Sequence, residues 1–252
     1  MQTFLDAFDK PDVCLFGTWY KINSLEILEM IAQAGFDFVV IDTEHAPHTF
    51  ETVYRAIVTA QALGMRALVR LPDQSGTDVQ RILDSGADGV LIPRVRDVEQ
   101  ARTVIDGMIF SPTGSRGLGI TSRAGNWGLA TKDQYVNRGN DKVARVLQLE
   151  DPEALQACEE MLDLPGANAV FVGLGDLSLT TGKPGNHPDN EALVDALLQA
   201  SRRRNIPCGT AVGDAAAAAR ARDKGFSFVM ISNDVTMFAK ATREAIKGVR
   251  PS

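Results

Sequence analysis

Short apolar runs of strand length alternate along the chain with longer stretches in which apolar residues recur at helical spacing. This alternation is typical of βα units and not of β-sandwiches or helical bundles. It predicts strands at residues 14–20, 38–42, 66–70, 89–93, 143–149, 169–173, 208–211 and 228–232. It predicts helices at residues 25–34, 50–63, 77–83, 98–108, 152–162, 191–203, 215–224 and 235–249.

Eight parallel strands close naturally into a barrel, so we predict an α/β protein with a (β/α)8 barrel, formed as one domain over residues 1–252. An open, doubly wound sheet is the alternative. The phosphate-loop and dinucleotide-binding fingerprints that often accompany such a sheet are absent from the sequence.

Two segments interrupt the alternation. Residues 111–128, rich in Gly, Ser and Arg, are too long and irregular for an ordinary βα connection, and a short helix at 133–140 follows them. Residues 180–189 follow the sixth strand. Long structured loops usually serve a site or an interface, so we expect these two segments to do so.

Composition and charge exclude several classes of partner. The net charge is −6 and no basic block is present, so nucleic acid is not an expected partner. No apolar stretch approaches the roughly 18 residues needed to cross a membrane, and the first residues do not read as a secretion signal. We therefore expect a cytoplasmic protein whose three cysteines, Cys14, Cys158 and Cys208, are reduced core thiols.

Polar residues and glycines cluster at the ends of four of the predicted strands or just after them. In a barrel of this type, reacting groups lie at the carboxyl ends of strands and in the loops that follow them, so these side chains should converge on one rim. They are Asp42, Glu44 and His45 at and after the end of the second strand, Arg70 at the end of the third, Gln148 and Glu150 at the end of the fifth, and Gly173, Gly175 and Asp176 at and after the end of the sixth.

Glu150 and Asp176 follow neighbouring strands and are candidate ligands of one metal ion. Two carboxylates, with water and substrate oxygens, suit Mg²⁺ or Mn²⁺ better than a zinc site built from imidazole and thiolate. The alternative is that Asp176 is a solvated acid near a helix N-cap.

His45, Arg70 and the turn at residues 173–175 are the other candidates for chemistry. His45 is the candidate general base, because the pKa of an unperturbed imidazole lies near working pH. Arg70 either donates hydrogen bonds to a carboxylate or a developing enolate, or forms an ion pair with Asp42 or Glu44 at the barrel mouth. The glycine turn, with Leu174 between its two glycines, offers backbone N–H groups to an anion.

These residues give the chain a resemblance to a known family. The similarity runs in order from about residue 17 to 234 and includes residues 17–19, 41–47, 70, 91–93, 112–117, 148–150 and 173–178. The chain resembles the HpcH/HpaI aldolases, which are class II, pyruvate-using enzymes.

The resemblance implies a fold, an assembly and a reaction. It implies a (β/α)8 barrel whose C-terminal helix is exchanged between subunits of a homohexamer, a trimer of dimers. It also implies reversible aldol cleavage of 4-hydroxy-2-oxo acids to an aldehyde and pyruvate, or hydroxypyruvate, with Mg²⁺, Mn²⁺ or Co²⁺. The implied site comprises Glu150 and Asp176 as metal ligands, His45 as acid and base, Arg70 as enolate stabiliser, Gln148 and Gly175 as keto-acid contacts, and Asp84 as the residue that raises the basicity of His45.

Three further residues complete the predicted site. Asp42 directly precedes the segment that carries His45 and is a candidate catalytic residue beside it. Trp19 and Val212 are predicted to line the aldehyde pocket, where an apolar Val212 favours unselective aldehyde binding.

The implied role of Asp84 conflicts with the barrel topology, because Asp84 ends a helix that runs away from the active rim. A contact from another subunit would resolve the conflict.

Other chemistries remain open at this point. A Schiff-base aldolase needs a desolvated lysine, and Lys21 is the only lysine expected near the active rim. A decarboxylase or acyl-CoA lyase would use a similar enolate site, and a barrel that only binds a keto acid would use no chemistry.

Overall fold

Eight parallel strands form a closed barrel in sequential order, so the chain adopts the TIM-barrel fold that the sequence predicts. The computed structural model describes residues 2–74 and 76–249, without the side chains of residues 76 and 77. The strands are β1 (Leu15–Tyr20), β2 (Phe38–Asp42), β3 (Arg66–Arg70), β4 (Gly89–Ile92), β5 (Ala144–Leu149), β6 (Ala169–Val172), β7 (Cys208–Val212) and β8 (Phe228–Asn233).

Helices surround the barrel and connect its strands. They are α1 (Leu25–Gln33), α2 (Phe50–Ala62), α3 (Gly76–Asp84), α4 (Val98–Asp106), α5 (Lys132–Asp141), α6 (Pro152–Gln156), α7 (Cys158–Leu162), α8 (Leu174–Thr181), α9 (Pro188–Arg203), α10 (Ala215–Lys224) and α11 (Asp234–Ile246). Two 3₁₀ helices, Leu5–Asp9 and Arg123–Gly128, complete the described secondary structure.

The predicted strands agree with the observed ones to within one residue at either end, and the predicted short helix at 133–140 is α5. The single helix predicted at 152–162 is wrong. It is divided into α6 and α7, because Ala157 has a φ of −87° and a ψ of 6°, which is outside the helical region. Neither 3₁₀ helix was predicted, and α8 occupies the start of the predicted 180–189 loop.

Aromatic rings fill the barrel interior. The Phe4 ring lies 5.4 Å from Phe38 and 5.3 Å from Phe228, and Phe38 and Phe228 lie 6.1 Å apart. Gly17 makes room for this packing, since a Cβ there would lie 2.5 Å from the Phe38 ring. Because the interior is packed and not hollow, a ligand has to bind at a rim of the barrel.

A larger apolar layer separates the strands from the surrounding helices and contains most of the buried residues. Its cysteines, Cys158 and Cys208, are buried free thiols, and Cys14 is a half-buried free thiol packed against it, as the sequence predicted. Among the described residues, no helix is both long and apolar enough to cross a bilayer.

Candidate active site

Asp42 lies at the end of β2, opposite Arg70 at the end of β3, and the two side chains form a bidentate ion pair. Arg70 Nε donates to Asp42 Oδ1 at 2.9 Å, and Nη2 donates to Oδ2 at 2.7 Å. Lys21 Nζ lies 3.0 Å from the same Oδ2. Burial alone would raise the pKa of Asp42, but the bonds and charges of Arg70 and Lys21 lower it to about 2.

Asp42 also fixes the loop that follows β2. Its Oδ1 accepts hydrogen bonds from the backbone N–H groups of Glu44 and His45 at 3.1 and 3.2 Å. The His45 side chain remains 56% exposed, with Nε2 3.8 Å from Glu44 Oε2. The loop therefore holds an accessible imidazole at the carboxyl rim, where it can exchange protons with a bound molecule or with solvent.

Glu44 is buried between two arginines. Arg70 Nη1 lies 3.1 Å from Glu44 Oε2, and Arg94 donates to Oε1 from Nη2 at 2.6 Å and from Nε at 3.1 Å. The Arg70 guanidinium also stacks over Trp19, 4.1 Å from the ring centroid. The ion pair that the sequence offered as an alternative role for Arg70 is thus present with both Asp42 and Glu44.

Arg94 is the residue that sequence reasoning missed. It follows β4, has a φ of 53°, and its backbone N–H donates to Glu150 Oε1 at 3.0 Å. Its place just after a predicted strand was the available signal. Its left-handed backbone, uncommon outside glycine and asparagine, was not predictable from an arginine.

Glu150 follows β5 and is buried beside Gln148, whose Nε2 donates to Glu150 Oε2. Burial, together with the negative charges of Asp176 and Glu44, raises the pKa of Glu150 to about 7. Gly173 makes room for this carboxylate, because a Cβ at Gly173 would lie 2.6 Å from Glu150 Oε2.

Asp176 is exposed in the first turn of α8, which begins directly after Gly173 at the end of β6. Asp176 and Glu150 line one cavity of about 500 Å³ at the carboxyl rim. The side chains lining this cavity are those of Arg94, Arg96, Glu150, Asp151, Glu153, Asp176 and Thr180. The two predicted metal ligands therefore face the same space, as the strand order requires.

The residues present fit a divalent cation. Gln148 Oε1 is buried beside Glu150 and accepts no hydrogen bond from the described residues. This oxygen is therefore an unpaired acceptor at the site. Over residues 2–74 and 76–249, no group of three or more His, Cys, Asp or Glu side chains is arranged to hold a metal. A hard cation such as Mg²⁺ is often held by only one or two carboxylates, with substrate and water oxygens as its other ligands.

The other predicted contacts have the following positions. Trp19 is buried at the end of β1, 6.2 Å from Phe171, and Val212 is half-buried at the end of β7. Leu174 and Gly175 begin α8, and a Cβ at Gly175 would meet no atom within 4 Å. All four lie at carboxyl ends of strands or directly after them.

Asp84 lies away from this rim, at the end of α3. Its Oδ1 accepts from Arg116 Nη2 at 2.8 Å and from the Tyr135 hydroxyl at 2.9 Å. Arg116 is buried against the Phe110 ring. Within the chain, Asp84 thus holds the long loop after α4, and its role beside His45 through another subunit stays a prediction.

Comparison with known proteins identifies the family of this chain. Residues 15–241 match the HpcH/HpaI aldolase/citrate lyase family. The chain is 32% identical over 237 residues to a 2-dehydro-3,6-dideoxy-6-sulfogluconate aldolase of Pseudomonas putida, with 92% of each chain covered. It is 32% identical over 245 residues to a hydroxypyruvate/pyruvate aldolase of Paraburkholderia phytofirmans, with 94% of this chain and 93% of that one covered.

Among solved structures, a family protein from Burkholderia cenocepacia superposes with a TM-score of 0.88 at 30% identity, and 98% of each chain is covered. An HpcH/HpaI aldolase from Desulfitobacterium hafniense superposes with the same TM-score at 28% identity, covering 99% of this chain and all of that one. With a family match over most of its length, relatives of near-equal length and the same fold, this chain belongs to the HpcH/HpaI aldolase/citrate lyase family.

Proposed function

We propose that this protein is a metal-dependent aldolase that reversibly cleaves 4-hydroxy-2-oxo acids to an aldehyde and pyruvate or hydroxypyruvate. The observation that carries the proposal is the shared cavity of Glu150 and Asp176, next to the Arg70 cluster and the exposed His45. The names of the two curated relatives, a sulfogluconate aldolase and a hydroxypyruvate/pyruvate aldolase, support the same reaction class.

Glu150 and Asp176 would hold one Mg²⁺, Mn²⁺ or Co²⁺ ion. When bound, the cation would supply positive charge to the oxygens of the keto acid as the C–C bond breaks and an enolate forms. Gln148 and the backbone at Gly175 would orient the keto acid beside that charge. Trp19 and Val212 would provide the apolar part of the aldehyde pocket.

Arg70 stabilises the enolate in this proposal. Each of its three nitrogens directs one of the five N–H groups to Asp42 or Glu44, which leaves one N–H on each terminal nitrogen for a substrate oxygen. His45 takes the proton from the 4-hydroxyl group in cleavage and returns it in synthesis. The exposure of its ring and the fixed backbone beneath it support that assignment.

The test is release of pyruvate or hydroxypyruvate from a panel of 4-hydroxy-2-oxo acids, run in both directions, with and without exhaustive chelation. We expect activity that chelation abolishes and Mg²⁺ or Mn²⁺ restores, and we expect Glu150→Gln to remain inactive after metal is added. Glu99→Gln, at a surface side chain that is 83% exposed, is the matched control and should behave as wild type. Full activity in the metal-free protein would refute the mechanism.

We also propose that α11 is exchanged between subunits of a hexamer. Only Asp234, its first residue, is buried, while Val235, Phe238 and Ile246 are 46%, 61% and 50% exposed. Exposed apolar side chains along one helix are typical of an interface. Light scattering after size-exclusion chromatography should give a hexamer for the wild type and a smaller species for Phe238→Asp. A monomeric wild type would contradict the assembly.

A further inference from the structure

Five charged side chains alternate in sign along one half of the carboxyl rim, and we call this set the charge row. In order they are Lys21, Asp42, Arg70, Glu44 and Arg94, from the loops or ends of β1 to β4. The contacts between neighbours are 3.0 Å, 2.7 Å, 3.1 Å and 2.6 Å. Arg70 lies at the centre, with one carboxylate on each side.

The two outer cations, Lys21 and Arg94, have no assigned part in the reaction proposed above. Each binds a carboxylate that is at most 5% exposed, although Lys21 is itself 22% and Arg94 57% exposed. An ordinary surface ion pair contributes little, but a cation that partners a buried carboxylate in a network contributes more. Their contacts therefore differ from a surface pair such as Arg55 with Glu51, in which both side chains are exposed.

The net charge of the charge row depends on its two outer cations. Three cations and two carboxylates leave the charge row with a net charge of +1. Loss of Lys21 or Arg94 would make the row neutral, and Arg70 would then be the sole cation neutralising one of the buried carboxylates. Its guanidinium would be held more tightly by the acid and would offer less positive charge to a substrate oxygen.

Arg94 also connects the charge row to the candidate metal ligands. Its side chain binds Glu44 while its backbone N–H donates to Glu150. Arg94 makes these two contacts with a left-handed φ of 53°. A non-glycine residue in this conformation is held there by its surroundings. The Glu44 contact is one such restraint on the Arg94 side chain.

We propose that Lys21 and Arg94 are positioning residues for Arg70, acting through Asp42 and Glu44 to keep its guanidinium oriented and its charge available to the enolate. This inference rests on the proposed function, since it assigns the enolate to Arg70. It concerns residues that need not touch the substrate.

The test uses enolate formation without any aldehyde, so that the unknown aldehyde does not matter. Exchange of the pyruvate methyl protons in D2O, followed by NMR with the Mn²⁺-free, Mg²⁺-loaded full chain, reports this step. Lys21→Met and Arg94→Met should each lower the exchange rate constant about 10-fold, with a smaller change in the pyruvate KM, as for other residues that orient a site through a neighbour. Arg94→Lys, which keeps the charge, should recover most of the rate.

A second readout needs no metal. The Nε–H signal of Arg70 in the metal-free protein, assigned through Arg70→Lys, should shift or broaden in Lys21→Met and Arg94→Met. The matched controls are Arg55→Met and Lys142→Met, which each remove one surface cation paired with an exposed or part-exposed acid. They should leave both the exchange rate and the Arg70 signal unchanged.

The outcomes separate this inference from the proposed function. If the wild type exchanges pyruvate protons and both Met variants match it in rate and in the Arg70 signal, the positioning role is wrong and the aldolase proposal stands. If the wild type neither exchanges pyruvate protons nor cleaves any 4-hydroxy-2-oxo acid, the proposed function is wrong. In that case a shifted Arg70 signal in the Met variants would still support the structural coupling.

Discussion

Gly173→Ala is the sharpest test of the candidate metal site, because it adds one carbon atom at the point where two ligand-bearing segments meet. A Cβ at Gly173 would lie 2.6 Å from Glu150 Oε2 and 2.9 Å from Glu150 Cβ. The backbone φ of −86° is open to alanine, so the effect is steric and not conformational.

The size of the effect follows from these distances. To restore an ordinary contact of 3.4 Å, the Glu150 oxygen would have to retreat by about 0.8 Å, whereas metal–ligand distances tolerate about 0.2 Å. Arg94 and Gln148 hold this carboxylate from two other sides, so a retreat would also break one of those hydrogen bonds. We expect Mn²⁺ affinity and aldol cleavage to fall about 100-fold or more.

Calorimetric titration with Mn²⁺ and thermal unfolding would be measured on the same samples. Overpacking of this kind costs about 1–3 kcal/mol, which for a chain of this length lowers Tm by a few degrees to about 10 °C. Gly107→Ala is the matched control, because a Cβ there meets its nearest atom at 3.7 Å. Wild-type Mn²⁺ affinity in Gly173→Ala, with the fold intact, would refute the assignment of Glu150 as a ligand.

Three further predictions follow from the charges. The pKa of Asp42 is about 2 in the folded chain against 3.8 ordinarily, a depressed value that contributes about 2 kcal/mol to stability above pH 4. That contribution is lost as pH falls from about 4 to 2, so Asp42→Asn should flatten this part of an acid-unfolding curve; an unchanged curve would contradict the ion pair. Lys21 is paired with Asp42 and is not a free amine, so borohydride with pyruvate should leave no adduct by mass spectrometry, and a labelled Lys21 peptide would indicate Schiff-base chemistry. Asp84→Asn should lower the free energy of unfolding in urea by about 3 kcal/mol, because Arg116 is left buried without its carboxylate. No loss of stability would show that this pair is not what holds the loop.

The strands were predictable because each is a short apolar run that ends at a polar residue or a turn. The bounds of β2 and β3 coincide with the predicted 38–42 and 66–70, where the apolar run is closed by Asp42 and Arg70. The division of the helix at 152–162 was not predictable, since no helix-breaking residue marks it at Ala157. Local pattern thus gives the elements, and tertiary contacts set their interruptions.

The candidate site shows the same division. Barrel topology alone places Glu150 and Asp176 on one rim, because they follow adjacent strands, and the structure places them on one cavity. The partners of Asp84 were beyond sequence reasoning, since Arg116 and Tyr135 lie 32 and 51 residues further along the chain. Such long-range pairs leave no periodic or spacing signal.

The two halves of the carboxyl rim differ in how far their carboxylates are neutralised by cations. The loops after β1 to β4 carry the charge row, in which every carboxylate already has two cations. The segments after β5 and β6 carry Glu150 and Asp176. Glu150 accepts a hydrogen bond from the neutral backbone N–H of Arg94, and the Arg94 side chain acts on both carboxylates only through its charge. A deficit of positive charge in that half is what a divalent cation would fill, whereas a cation placed among the first four strands would meet carboxylates that are already neutralised. In the proposed reaction, the metal would therefore bind at β5 and β6, and an enolate between the two halves would be stabilised by both the cation and Arg70.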